Sequence, residues 1–354
     1  ELQRADEKTI QEALGFAAGI YAGGSTNIDS ALKTSLGMLS AKGHPSYVLF
    51  LTDGLPTVGV RDERQIATGA QQANQVGARL FNFGVGFDVN SRLLDRLSHD
   101  NRGQSVYVRP NEDIEAHVAS LYNRIGSPLL TNLSVSIDFD RVTEASDPKP
   151  IARMYPQQLT DLSYGEQLVI VGRYHNGGVA KITLAGQVAG EKKTFSFGAD
   201  FADRSADESN GFVEKLWAVR RVGDIIDELD LHGQNQELVN ELVSLSIRHG
   251  IMTPYTSFLA DENVRLADRG NFSRAARESG RQLGQVAGEA GFVQRALKGQ
   301  LQRVDGLGDV RRLASSAPTS DLSEARSPSS ATPAPGNRPG GGGDRDEAKA
   351  ATRR

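Results

Sequence analysis

The sequence predicts an α/β protein: a doubly wound parallel sheet at the front, an antiparallel β region behind it, then a helical hairpin and a disordered tail. Three observations carry this reading. Helical stripes alternate with short apolar runs as far as residue 127, the pattern of an open parallel sheet with helices on its faces. Tyr47-Val48-Leu49-Phe50-Leu51 is continuously apolar, as a strand buried on both faces has to be. After Pro128 the pattern turns to strict alternation at Leu133, Val135, Ile137 and Phe139, the period of a half-exposed strand.

Taken in order, Ile10, Leu14, Ala17, Ala18 and Tyr21 mark a helix over 6–21, with Gly23-Gly24 as its stop. A second stripe runs through Ile28, Leu32, Leu36 and Leu39 to Gly43. The apolar strand at 47–51 stops at Thr52-Asp53-Gly54. Ile66, Ala70, Ala73 and Val76 give a helix over 62–76, followed by a strand at 79–85. A short helix around Leu93, Leu94 and Leu97 leads to the strand Val106-Tyr107-Val108. The last helix of this region carries Ile114, Val118, Leu121, Tyr122 and Ile125.

In the β region, strands are expected at 167–174, 179–184 and 193–201, punctuated by Asn176-Gly177-Gly178 and Gly186. At roughly 70 residues it is thin for an independent sandwich. Two helices follow, one with Val213, Leu216, Trp217, Val222, Ile225, Ile226 and Leu229, the other with Leu238, Val239, Leu242, Val243 and Leu245. The short Leu231-His232-Gly233 link makes them an antiparallel hairpin. Residues 263–315 hold ten Lys or Arg against five Asp or Glu, with a glycine-broken helical pattern, and read as a basic, weakly helical linker. Residues 316–354, rich in Ser, Pro and Gly, cannot bury enough apolar area to offset their ordering entropy.

Composition narrows the function. The 354 residues carry a net charge of −4, which argues against a generally basic nucleic-acid binder. No run of about 18 apolar residues suggests a membrane span. Without cysteine there is no disulfide scaffold, thiolate metal site or thiol nucleophile. Neither a phosphate-binding loop nor a nucleophile elbow nor a zinc-helix motif occurs, so no enzyme is expected.

Two segments could carry chemistry: Gly23-Gly24-Ser25-Thr26-Asn27 and Leu51-Thr52-Asp53-Gly54. In an open α/β sheet the ligand crevice lies outside the carboxyl ends of the strands, where a strand-terminal Asp53 and a pre-helical Thr26 can both reach. Carboxylate and hydroxyl are hard oxygen donors suited to Mg²⁺ or Ca²⁺. The plainer alternative is that Ser25 or Thr26 caps the following helix and that Asp53 closes a turn through Gly54.

Those segments, with Leu55-Pro56-Thr57 and Phe83-Gly84-Val85-Gly86, resemble a von Willebrand factor type A domain. The wording is similar to inter-alpha-trypsin inhibitor heavy chains and their bacterial relatives, which carry a vault/inter-alpha-trypsin (VIT) domain ahead of the type A domain. The resemblance continues through Leu216-Trp217-Ala218, Arg221, Leu231-His232-Gly233 and Arg248-His249-Gly250-Ile251 to Phe258, about residues 1–260. It implies a metal-ion-dependent adhesion site in which Thr26 and Asp53 are metal ligands, with Ser25 and Gly54 beside them at the ligand-binding edge. The family's Asp-x-Ser-x-Ser motif occurs nowhere in this sequence; its expected place is before Glu1, so an N-terminally truncated domain lacking its first strands is expected, poorly folding or aggregating by itself.

The expected organisation is therefore a partial type A domain over 1–127, an antiparallel sandwich half over 128–205, a helical hairpin with closing segment over 206–262, the basic linker and the tail. The expected function is metal-ion-dependent adhesion to a protein ligand through that ligand's acidic side chain. Mg²⁺ or another divalent cation would serve in a longer parent, with little tight binding by these residues alone. The alternatives are a metal-independent structural or envelope-assembly scaffold and, less favoured, an α/β enzyme. From the resemblance alone, the protein is exported or sits at the cell envelope.

Overall fold

The computed structural model describes residues 3–21, 23–40, 45–140, 150–204, 210–233, 235–251, 287–306, 308–310 and 312, all within one compact unit. The expectations for Gly43, the closing segment 252–262, the first part of the basic linker and the tail from 316 lie outside the described residues.

The first region alternates as the sequence predicts: α1 (Glu7–Ala18), α2 (Ile28–Gly37), β1 (Tyr47–Thr52), α3 (Glu63–Ala73), β2 (Arg79–Val85), α4 (Ser91–Asp100), β3 (Ser105–Val108) and α5 (Ile114–Ile125). The strands form a parallel sheet in the order β1-β2-β3, with Val48 opposite Leu80 and Phe83 opposite Val106. Side-chain alternation splits the core across the sheet. Val48 and Leu80 join Ile28, Leu32 and Leu36 of α2, Ile66 and Ala70 of α3, and Leu93 and Leu97 of α4. Phe81 and Phe83 face the other way, with Val108 and Leu121 of α5. Side-chain caps start the helices: Asn27 accepts from Ser30 N–H, Asp62 from Gln65 N–H, Asn90 from Leu93 N–H and Asp113 from Ala116 N–H.

Helix α1 stands apart. None of its residues is buried, and Ile10, Leu14 and Phe16 are exposed. It ends at Gly19 rather than at the predicted Gly23-Gly24, which belong to the connection to α2.

The β region contains β4 (Pro128–Phe139), β5 (Ile151–Tyr155), β6 (Leu162–Ser163), β7 (Val171–Tyr174), β8 (Gly178–Val188) and β9 (Glu191–Phe201). One sheet has the order β6-β4-β8-β9 and is antiparallel; β5 and β7 form a separate pair. The expected strand at 167–174 shrinks to 171–174, and β5 and β6 have no counterpart in the sequence reading.

The hairpin is α6 (Gly211–His232) and α7 (Gln236–His249), turned at Gly233 and closed by Gly250 in the left-handed region at φ 60. Its interior holds Leu216, Val222, Ile225, Leu229, Leu242 and Val243, with Tyr155 and Val171 of the β5–β7 pair. Trp217 belongs to this core, and its indole N–H donates to Arg153 O at 3.1 Å.

A further helix, α8 (Gly288–Gln302), lies in the stretch read as a weakly helical linker, and it is a core element. It buries the apolar Phe292 and Leu301 together with Arg295 and Lys298. Phe292 meets Phe87 edge-on at 5.2 Å and Tyr107 at 5.8 Å between ring centroids. Gly288 N–H donates to Phe87 O at 2.9 Å. Lys298 is buried among Asp95 of α4 and Asp227 and Asp230 of α6, and Arg295 is paired with Asp230. Burial alone would drive the Lys298 ammonium toward neutrality; the three carboxylates outweigh it and hold its pKa above that of an ordinary lysine.

Candidate functional site

Because β1 and β2 are parallel, Thr52 and Val85 end at the same edge of the sheet. Beyond Thr52 the chain turns at Asp53-Gly54, and the Thr52 hydroxyl closes that turn against Gly54 O at 3.2 Å. Asp53 is left exposed at the tip, with no hydrogen bond or ion pair among the described residues.

Thr26 comes to this turn on the loop before α2. Its N–H donates to Thr57 Oγ1 at 2.8 Å, and its carbonyl accepts from Thr57 N–H at 2.9 Å and Val58 N–H at 3.2 Å. These three bonds clamp two loops that lie 31 residues apart in sequence. A methyl group placed on Gly54 would stand 3.9 Å from Thr26 Oγ1, so the threonine hydroxyl borders the Asp53-Gly54 turn. Ser25 is exposed beside it.

The cap of α2 is Asn27, not Ser25 or Thr26. The plainer reading of Thr26 as a helix cap is thereby corrected, and its hydroxyl is free of that duty. Gly59, at φ 72, lies against the Asn27 side chain; a Cβ there would come within 2.7 Å of Asn27 Oδ1. Thr57, Asn27 and Gly59 thus brace the site. The sequence reading gave none of them a role, since only the fold shows that Thr57 meets Thr26.

Among the described residues no group of three or more His, Asp or Glu is placed to hold a metal ion. Thr26 and Asp53 fit a hard divalent cation in donor type, but two donors leave most of an octahedron to water or to a partner's oxygens.

Residues 2–122 match the family model for the von Willebrand factor type A domain. The chain carries a type A domain. It is similar to human inter-alpha-trypsin inhibitor heavy chain H4, 27% identical over 273 residues, covering 72% of this chain and 28% of that protein. It is also similar to heavy chain H2 of Sus scrofa, 26% identical over 286 residues, covering 75% of this chain and 29% of that one. The chain thus spans little more than a quarter of these curated relatives' length. A solved von Willebrand factor type A structure from Catenulispora acidiphila superposes with TM-score 0.44 at 15% identity, covering 89% of this chain and 75% of that one. The similarity to the heavy chains extends well past the type A domain, as the motifs near Trp217 and Arg248 imply. Among the described residues no helix is long and apolar enough to cross a membrane.

Proposed function

We propose that this chain is a protein-binding module whose type A domain engages an acidic side chain of its partner through a divalent cation, Mg²⁺ or a similar hard ion. Thr26 and Asp53 would contact the ion, directly or through water, while Ser25 and Gly54 line the edge the partner approaches. The observation that carries this reading is the clamp between the Thr26 loop and Thr57-Val58, which fixes a free hydroxyl beside a free carboxylate turn at the sheet's carboxyl edge. Thr26 and Asp53 would hold the cation, which would supply positive charge for the partner's carboxylate; the chain's own part is to orient two oxygens on an exposed surface. Export or a cell-envelope location belongs to the same reading, and it assigns no catalytic group.

Mn²⁺ titration of the chain, followed by electron paramagnetic resonance, tests this. Weak binding that disappears in Asp53→Ala and in Thr26→Val is expected; Mn²⁺ binding unchanged in both variants refutes the assignment. A metal-independent scaffold is the second reading, favoured by the buried junction at Lys298, which ties α4 to α6 through ion pairs between side chains. Partner association that persists in EDTA would select it.

A further inference from the structure

Among the described residues one lysine is buried, Lys298 of α8, with a side chain only 4% exposed. Its ammonium touches Asp95 Oδ2 of α4 and stands 2.8 Å from Asp227 Oδ1 and 3.8 Å from Asp230 Oδ2 of α6. Lys8, Lys33 and Lys193 also meet carboxylates, but with exposed side chains. Arg295 shares Asp230, and a guanidinium stays protonated in proteins, whereas a lysine amine is a nucleophile once it gives up a proton. Lys298 is therefore a potential nucleophile in lasting contact with a carboxyl carbon's own oxygen.

Asp95 is held from its other side as well. The Tyr107 hydroxyl of β3 lies 2.5 Å from Asp95 Oδ1 and 2.7 Å from Ser91 O. Desolvation raises the Tyr107 pKa well above that of an ordinary tyrosine, so the hydroxyl keeps its proton. Phe292 packs edge-on against the Tyr107 ring at 5.8 Å. The Asp95 carboxyl is thus fixed between an amine on Oδ2 and a phenol on Oδ1, with a second carboxylate, Asp227, beside the amine. Asp227 is 18% exposed and gives this otherwise closed cluster an opening to solvent.

We propose that Lys298 and Asp95 condense into an intramolecular isopeptide bond, a covalent staple between α8 and α4. The ammonium passes one proton to Asp227, and the freed amine attacks Asp95 Cγ. The Tyr107 O–H holds the negative charge that develops on Oδ1. Oδ2 then departs as water, taking one proton back from Asp227 and one from the nitrogen. The Nζ–Cγ bond forms and the Cγ–Oδ2 bond breaks; an ammonium and a carboxylate become an amide and water, and nothing is oxidised or reduced. The carboxylates that stabilise the ammonium make its deprotonation slow, but the reaction has to occur only once per chain, and fixed contact supplies the proximity. The staple joins residues 203 positions apart. The sequence has no cysteine, so no disulfide can make such a link.

Mass spectrometry of the full chain tests this directly. After prolonged incubation at neutral pH the intact mass should fall short of the sequence mass by one water. A tryptic digest should yield a branched peptide in which residues 93–96 are joined to residues 296–303 through Asp95 and Lys298. Lys298→Arg keeps the positive charge but cannot condense, and should show the full mass and no branched peptide. Asp227→Asn should slow formation of the branched peptide by about a hundredfold or more. The parent chain decides the matter even where a variant does not fold. Full mass in the incubated parent overturns the proposal, and so does a water loss that maps to Asp53-Gly54, where a succinimide would form, with no branched peptide. Branching at the parent rate in a folded Asp227→Asn overturns the proton-transfer step.

Discussion

At the sheet's carboxyl edge Asp53 stands in solvent beside Thr26, whereas at the junction of sheet and hairpin Lys298 is buried among Asp95, Asp227 and Asp230. Both places gather charge, but by opposite means. The edge leaves the Asp53 carboxylate unpaired among the described residues and is held by hydrogen bonds between its loops, two of which use the Thr52 and Thr57 hydroxyls. The junction satisfies its charges internally and takes Tyr107 into the same cluster through a 2.5 Å hydrogen bond to Asp95. A group available for binding can be replaced at little cost to folding, while a group consumed by folding offers nothing to a partner. That contrast separates the two functional readings, because the adhesion reading lives on the edge and the scaffold reading on the junction.

Breaking the junction should produce the largest effect. Lys298→Met leaves the buried Asp95 and Asp227 without their cation, Asp230 keeping Arg295, and a loss of about 3–5 kcal/mol is expected from urea denaturation. A variant that stayed within 1 kcal/mol of the parent would show that the carboxylates are hydrated or protonated there. Leu32→Ala, in the fully buried stripe of α2, should cost about 2–5 kcal/mol and gives an apolar reference of similar depth. Asn27→Ala removes the cap that frees Thr26 from capping, at about 1 kcal/mol; it should also loosen the Thr26–Thr57 clamp, visible as faster amide exchange at Thr57 and Val58.

A pH titration sharpens the comparison further. Burial, against the pull of Arg221, pushes the Asp224 carboxyl from 3.8 up to about 6. The folded chain then holds a proton between about pH 4 and 6 that the unfolded chain has released, so this group's contribution to stability falls as pH rises through that window. Asp224→Asn should remove that slope from denaturation curves taken across it. Glu241 behaves oppositely: burial opposes ionisation, but Arg221 wins and lowers its pKa, so its stabilisation is present above the ordinary glutamate pKa and is lost on acidification. The smallest effect on folding is expected at the edge itself. Asp53→Asn should change stability by no more than about 0.5 kcal/mol; a larger change would mean that Asp53 is already engaged in the fold.

The parallel sheet was legible because each of its elements announces itself locally. The apolar run at 47–51 and the stripes of α2, α3 and α5 need no distant partner to be recognised. Helix α8 was not legible. Lys298 and Arg295 look like solvated charge in a basic stretch, and what buries Lys298 is Asp95, 203 positions away. Strands β5 and β6 were missed for a related reason: Ile151–Tyr155 includes Arg153 and does not alternate cleanly, and β6 has two residues. At the candidate site Thr26 and Asp53 were visible as residue types at strand and helix ends. The brace from Thr57 was not, since its 31-residue separation from Thr26 leaves no periodic trace.

Helix α1 has a consequence of its own. It is twelve residues long with a capping box formed by Asp6 and Thr9, and no residue of it is buried. Among the described residues its persistence rests on its own backbone and that cap, as in a free peptide. Isolated helices of that length are marginal in water, and they form and melt within about a microsecond. The segment leading into the Thr26 loop should thus flicker between helix and coil while the sheet beside it stays folded, and its amides should exchange with solvent orders of magnitude faster than those of β2.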